Sequence, residues 1–106
     1  MKKRKICYYD EMGGQLLGNR YTKARIFYIE NKIIELPNQE NNIKEFNVLF
    51  IPRYNVTTHN ILMIDNNFTC TCQENKINKR TCSHILAVKM YLNKITISPE
   101  VLKNEI

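Results

Sequence analysis

The sequence of 106 residues contains no apolar run that approaches the length of a membrane-spanning helix. It also lacks the motifs of common catalytic sites: there is no nucleophile elbow, no phosphate-binding loop and no zinc-deaminase pairing of His-x-Glu with Pro-Cys-x-x-Cys. The apolar stretch after the basic N-terminus, Ile6 to Tyr9, is too short for a signal peptide. These absences predict a cytoplasmic, intracellular protein that is neither an enzyme nor inserted in a membrane.

Cysteine and histidine are scarce and unevenly placed. Of the four cysteines and two histidines, three cysteines and one histidine fall in two short groups, Cys70-Thr71-Cys72 and Cys82-Ser83-His84. Three thiolates and an imidazole form a closed, tetrahedral zinc site. On an extended strand residues i and i+2 point to the same face, so Cys70 and Cys72 can reach one ion. The pattern predicts one structural zinc bound by Cys70, Cys72, Cys82 and His84.

The segment after the second group predicts a helix. Residues 85–92 contain neither Gly nor Pro, so a helix is expected to run to about Lys94. Inside a helix, residues i and i+2 diverge, so Cys82 should lie at or before the helix start and His84 in the first turn. A zinc ion bound in this way would join a strand to a helix.

Other roles for these residue types stay open. The cysteines could form a disulfide framework, although Cys70 and Cys72 are too close in sequence to bridge comfortably and such frameworks need an oxidising compartment. Cys7 lies in an aromatic segment and is expected to be a small buried or edge thiol. His59 is expected in a solvated turn, from which it could replace His84 as a ligand.

The pattern Cys-x-Cys-x(9)-Cys-x-His, whose last ligand begins the run His-Ile-Leu-Ala-Val, resembles the SWIM zinc finger. The similarity covers residues 54–92, because Tyr54-Asn55-Val56 and Phe68-Thr69 are similar to strand residues of that family. The resemblance implies a structural zinc and binding to DNA or to other proteins. It also implies partners in DNA processing, since SWIM proteins associate with recombinase paralogues and SWIM modules occur beside helicase, transposase or ubiquitin-ligase domains.

The remaining sequence predicts mostly strands, within a single α+β domain that spans residues 1–106. The expected strands, rich in β-branched and aromatic residues, are 5–9, 25–29, 32–36, 46–51, 54–58, 61–65 and 68–72. Turns are expected at Gly13-Gly14, Glu30-Asn31 and His59-Asn60, and either a turn or a bulge at Asn66-Asn67. Ser98-Pro99-Glu100 predicts a helix N-terminus and a short C-terminal helix. The expected fold is a small antiparallel β-sheet, then a zinc-pinned strand-loop-helix unit, then this helix.

The chain is basic, with 16 Lys and Arg against 10 Asp and Glu and a formal net charge of +6. A basic balance favours polyanionic ligands, although many soluble proteins share it without such a function. The nine residues between the two ligand groups include Lys76, Lys79 and Arg80 but no aromatic residue. Anchored by zinc at both ends, this loop is either a phosphate-binding surface or an ordinary solubilising loop. The N-terminal cations are a second candidate surface: Lys2, Lys3, Arg4 and Lys5.

The helix after His84 is apolar over more than one face, since Lys89 is its sole charged residue between Ile85 and Leu92. We expect either that the sheet and the C-terminal helix cover it or that Ile85, Val88 and Leu92 dock a protein partner. The leading prediction is a zinc-binding protein that binds nucleic acid, with DNA as the expected ligand, largely without sequence preference. The alternative is an adaptor for a recombinase, helicase or other DNA-processing protein.

Overall fold

The computed structural model describes residues 4–38, 40–52, 57–76 and 81–101. Within them the fold is α+β, as predicted. The elements, in chain order, are β1 (Arg4–Tyr9), β2 (Gln15–Leu16), α1 (Asn19–Ile29), β3 (Ile33–Leu36), β4 (Ile43–Val48), β5 (His59–Ile64), β6 (Asn67–Cys70), α2 (Gln73–Lys76), α3 (Ser83–Tyr91) and β7 (Thr96–Val101). None of the helices in these ranges is long and apolar enough to cross a membrane.

The strands form two antiparallel sheets rather than one. The smaller sheet has the order β2-β1-β7, and the larger is a meander in the order β3-β4-β5-β6. Helix α3 packs against one face of the larger sheet, and α1 packs on α3. Large side chains from both layers meet there without exposure to solvent, namely Phe46 and Ile61 from the sheet and Val88 from the helix. The three cysteines of the zinc-ligand motif belong to the same core.

The segment Arg25 to Ile29, predicted as a strand, is the second half of helix α1. The prediction was wrong because the β-branched and aromatic residues favour a strand locally, whereas tertiary packing favours a helix. In the helix, Ala24 and Phe27 lie three residues apart on one face and are both buried in the core. Helix α1 therefore covers apolar surface of α3, and the sequence alone did not predict this contact.

Both long helices end in the same way, at an asparagine with a left-handed backbone. Asn31 has φ 58° and Asn93 has φ 62°. After α1, the Lys32 N–H donates to the Phe27 carbonyl at 3.0 Å; after α3, the Lys94 N–H donates to the Lys89 carbonyl at 2.7 Å. These are Schellman motifs. The predicted hairpin turn at Glu30-Asn31 is thus a helix terminus, because an asparagine with positive φ suits either structure.

The predicted C-terminal helix is wrong for its first residues, because Thr96–Val101 forms strand β7. The strand pairs with β1, whose Cys7 lies opposite Ser98. The backbone pairing with a distant strand outweighs the local capping pattern. Residues 102–106 lie outside the described residues.

Strand boundaries in the larger sheet also differ from the predictions. His59 and Asn60 begin β5 rather than forming a turn, and the turn between β5 and β6 lies at Asp65-Asn66, one residue earlier than predicted. Strand β4 begins at Ile43, three residues before the predicted start. The predicted strand at 54–58 lies largely outside the described residues. Strand β1, strand β3 and the turn at Gly13, which has φ 85°, agree with prediction.

Candidate metal centre

The first ligand pair lies at the end of β6, where hydrogen bonds connect the backbone to β5 and to the short helix α2. Cys70 is the last residue of β6, and its N–H donates to Asn75 Oδ1 in α2 at 2.9 Å. Cys72 lies just beyond the strand, where its carbonyl accepts the Lys76 N–H at 3.0 Å. Thr71, between the two cysteines, donates its N–H to the Asn60 carbonyl of β5 at 3.2 Å. The predicted strand through Cys72 therefore ends at Cys70, and the turn into α2 brings the second thiol back to the first.

The second ligand pair opens helix α3, as predicted. Cys82 is the N-cap residue, with an extended backbone (φ −87°, ψ 170°), and its carbonyl accepts the Leu86 N–H at 3.1 Å. His84 follows in the first turn. Its imidazole lies beside the Phe27 ring of α1, with 5.3 Å between ring centroids. Helix α1 thus forms part of the wall of the site.

The four predicted ligands converge. One potential ligand atom from each of Cys70, Cys72, Cys82 and His84 lies within 4.8 Å of all the others. The three sulfurs belong to thiols, not disulfides, and all three cysteines are buried. Among the described residues, His84 Nδ1 is buried without a hydrogen-bond partner, which is costly for a polar atom unless a cation occupies its lone pair. The residues present therefore fit zinc.

The protonation of the thiols supports the same conclusion. Hydrogen bonding from Cys70, and further from His84 and the Ile85 N–H at the start of α3, lowers the pKa of Cys82 to about 3. The hydrogen bond to Cys82 raises the pKa of Cys70, and burial raises the pKa of Cys72. These shifts favour one thiolate, at Cys82, and a cation in the cluster would favour ionisation of Cys70 and Cys72 as well. Zn²⁺ supplies that charge when it is bound.

Comparison with known protein families agrees with the geometry. Residues 64–93 match the family model of the SWIM zinc finger. This segment is a SWIM-type zinc finger. No curated protein and no solved structure matches the chain. The SWIM match and the Cys3His cluster together fit a single structural zinc ion, as predicted. The predicted boundaries of the finger, 54–92, begin earlier than the match, and residues 54–56 lie outside the described residues.

The basic residues predicted to contact nucleic acid are only partly described. Lys76 ends α2 and is exposed. Lys79 and Arg80 lie outside the described residues, as do Lys2 and Lys3. Arg4 and Lys5 are not part of a free arm, because their backbone belongs to β1 and lies opposite Val101 and Glu100 of β7.

The predicted protein-docking residues are covered by the chain itself. Ile85 is 2% exposed and Val88 is fully buried, and Leu92 is partly buried against the same core. The interpretation of Ile85 and Val88 as a docking face is therefore wrong. Their cover comes from the larger sheet and from α1, rather than from the predicted C-terminal helix.

Several residues contact the finger in ways that the sequence did not predict. Arg20 of α1 donates from a guanidinium nitrogen to the Thr81 carbonyl at 2.7 Å, next to the ligand Cys82. Asn75 binds the Cys70 backbone, and the His59 ring lies 4.2 Å from the His84 ring. The contacts of Arg20 and His59 join segments far apart in sequence, so no local pattern could predict them. Asn75 offered a weak signal, since asparagine side chains often bond to nearby backbone.

Proposed function

We propose that the protein binds nucleic acid through its zinc finger, with DNA as the ligand and the phosphate backbone as the main point of contact. The observation that carries the proposal is Lys76, an exposed cation held next to the zinc site. Its N–H bonds to the carbonyl of the ligand Cys72 at 3.0 Å. This backbone bond orders the segment that carries the cation before a phosphate is bound, which lowers the entropy cost of binding.

Further cations lie within or beside the loop that joins the two ligand pairs. The loop continues through Lys79 and Arg80 in the sequence. At its other end Arg20, which is exposed, contacts the Thr81 carbonyl. Phosphate contacts of this kind carry no base information, so they support binding that is largely independent of sequence. The excess of 16 basic over 10 acidic residues favours the same class of ligand.

The zinc has a structural role in this proposal. Cys70, Cys72, Cys82 and His84 would supply four ligand atoms to zinc, the number that fills a tetrahedral site and leaves no position for a reactive water. We therefore propose binding without catalysis. The ion would join β6 to α3, the elements on either side of this loop, so binding depends on zinc indirectly.

The test is charge removal in the loop. Replacing Lys76, Lys79 and Arg80 singly by alanine should weaken DNA binding similarly for any sequence and reduce the slope of log affinity against log salt by about one per contact. Fluorescence anisotropy over a salt series measures both quantities. Lys44→Ala is the matched control, since Lys44 is an exposed cation on β4, outside the finger. Zinc content should be unchanged in all of these variants.

A second set of variants separates contact from scaffold. Cys82→Ala should abolish DNA binding together with zinc binding, because structural zinc contributes on the order of 10 kcal/mol to fingers of this size. A triple loop variant that retains zinc and binds DNA with unchanged affinity and salt slope would exclude the loop as the contact surface.

The adaptor function is the second candidate, and a different surface favours it. The registers place Ile34, Leu62 and Ile64 on the face of the larger sheet opposite to α3. Ile34 is 44% exposed and Ile64 is 41% exposed. Apolar residues on an exposed sheet face favour contact with a protein, such as a DNA-processing enzyme supplied by a separate chain. Ile64→Lys should abolish capture of such a partner while leaving DNA binding intact.

A further inference from the structure

A cleft of two adjoining cavities runs beside helix α3. The larger has a volume of about 470 Å³ and lies between the β1-β2 turn and the β5-β6 turn. The smaller, of about 220 Å³, lies between the start of α1 and Thr81. Both are lined by Tyr21, Leu86 and Lys89, so they share a wall. The larger volume falls in the range of about 300 to 1,000 Å³ that is usual for small-molecule sites.

The smaller cavity is cationic. Arg20 and Lys89 line it, and among the described residues none of its lining side chains carries a carboxylate. The Thr81 carbonyl orients the Arg20 guanidinium at 2.7 Å, which leaves other N–H groups of its planar fork for a ligand. Arginine and lysine side chains that line the same small cavity suit a phosphate.

The larger cavity combines aromatic walls with an acidic end. Tyr21 and Phe68 line it, and the Lys89 ammonium lies 5.3 Å from the Phe68 ring centroid. The acidic end consists of Asp10 and Glu11. Asp10 Oδ1 accepts the N–H groups of Met12 at 2.9 Å and Gly14 at 2.7 Å, which hold the carboxylate in place. Glu11 pairs with Lys94 at 3.5 Å.

The combination of these groups in one cleft matches one class of ligand. A nucleotide is an anion at one end, an aromatic ring in the middle and, for cytosine and adenine, an amino donor at the far edge. The cleft offers a counterpart to each part: Arg20 and Lys89 line the smaller cavity, Tyr21 and Phe68 line the larger one, and the larger one also includes the carboxylate of Asp10. An apolar ligand would leave the two cations and the carboxylate without partners, and a simple anion would not use the aromatic walls.

We propose that this cleft binds one nucleotide of a single-stranded nucleic acid, with the phosphate between Arg20 and Lys89 and the base in the larger cavity. The inference rests on the proposed function and deepens it, since a base paired inside a duplex cannot enter such a cavity. The contact between Arg20 and Thr81, beside Cys82, connects the phosphate end to the zinc site. Single strands should therefore bind better than duplexes of the same length.

The experiment compares a labelled oligodeoxycytidine, an abasic strand with the same backbone and a duplex, by fluorescence anisotropy. Stacking of a base in the cavity should make the oligodeoxycytidine bind about tenfold tighter than the abasic strand. Asn66→Trp places a large side chain in the lining of the larger cavity and should abolish that difference. Asn67→Trp is the matched control, because Asn67 is the exposed next residue and lies on β6 facing away from the core.

A second pair of variants tests the phosphate end and does not depend on the folding of Asn66→Trp. Lys89→Met keeps an unbranched apolar side chain at this position but removes the ammonium that lies 5.3 Å from the Phe68 ring centroid. It should weaken binding of the oligodeoxycytidine and reduce the salt slope by about one, whereas Lys44→Met should do neither. Circular dichroism and zinc content establish that each variant is folded.

The outcomes separate the inference from the function on which it rests. If no nucleic acid binds, both fail. If the abasic strand, the duplex and the oligodeoxycytidine bind equally, and Asn66→Trp behaves like Asn67→Trp, the proposed function stands and the nucleotide cleft is overturned. Competition of deoxycytidine 5′-monophosphate with the labelled oligodeoxycytidine tests whether the cleft also binds a free nucleotide. If the mononucleotide displaces the oligodeoxycytidine and Asn66→Trp abolishes this displacement, the cleft is supported and also binds free nucleotides. If the oligodeoxycytidine binds but the mononucleotide does not displace it, the cleft binds only nucleotides within a strand.

Discussion

The imidazole rings of His59 and His84 lie 4.2 Å apart, centroid to centroid, although only His84 belongs to the cluster of four potential zinc ligands. Burial, with His84 as a second cause, lowers the pKa of His59, so its ring stays neutral near neutral pH. Its Nδ1 lies 3.5 Å from Thr71 Oγ1, between the first two cysteines. His59 thus packs as an uncharged side chain beside the zinc site and is not a fifth ligand.

The positions of the two histidines predict that their substitution has different effects on zinc binding. His59→Phe should retain one zinc per chain, because the four ligands remain in place. His84→Phe should lose the zinc and the order of the finger, since a three-thiolate site lacks its fourth ligand. Metal analysis and the thiolate-to-cobalt charge-transfer absorption of cobalt-substituted protein measure both effects. Retention of metal by His84→Phe but not by His59→Phe would mean that the two histidines have the opposite roles.

Zinc binding should release about two protons per ion at neutral pH, rather than three. The reason is the unequal thiols: the pKa of Cys82 is lowered to about 3, so it is already ionised, whereas the pKa values of Cys70 and Cys72 are raised. Acid therefore competes with zinc, and the affinity should fall by about a hundredfold for each unit of decrease in pH near neutrality. Calorimetry in buffers of different ionisation enthalpy counts the protons. Release of three would show that Cys82 is also protonated in the metal-free protein.

The packing of α1 predicts that two nearby apolar residues contribute very differently to the free energy of unfolding. Phe27 is buried against α3 and beside His84, whereas Ile29 is 54% exposed. Phe27→Ala should lower the free energy of unfolding by about 3 to 5 kcal/mol, and Ile29→Ala by less than about 1 kcal/mol. Urea denaturation of the zinc-loaded protein measures both. A strand would place residues 27 and 29 on the same face, so equal losses would favour the strand.

The zinc site could be predicted from sequence because its ligands lie in two short segments. Each segment is a few residues long, and Cys82 and His84 occupy a helix start whose backbone geometry follows from local rules. The thiolate and imidazole chemistry is independent of the remaining fold, so convergence on one ion was the expected result. Strands β1 and β3 were predictable for a similar reason, since their alternating and β-branched residues favour extended backbone locally.

Helix α1, strand β7 and the division into two sheets depended on tertiary structure. The residues of α1 favour a strand by composition, and the helix forms because it buries Ala24 and Phe27 against α3. Strand β7 forms because its backbone pairs with β1, at the other end of the described chain. The Arg20 contact with Thr81 and the cleft beside α3 join residues that are distant in sequence. Burial and pairing between distant segments depend on the whole chain, and no local pattern contains them.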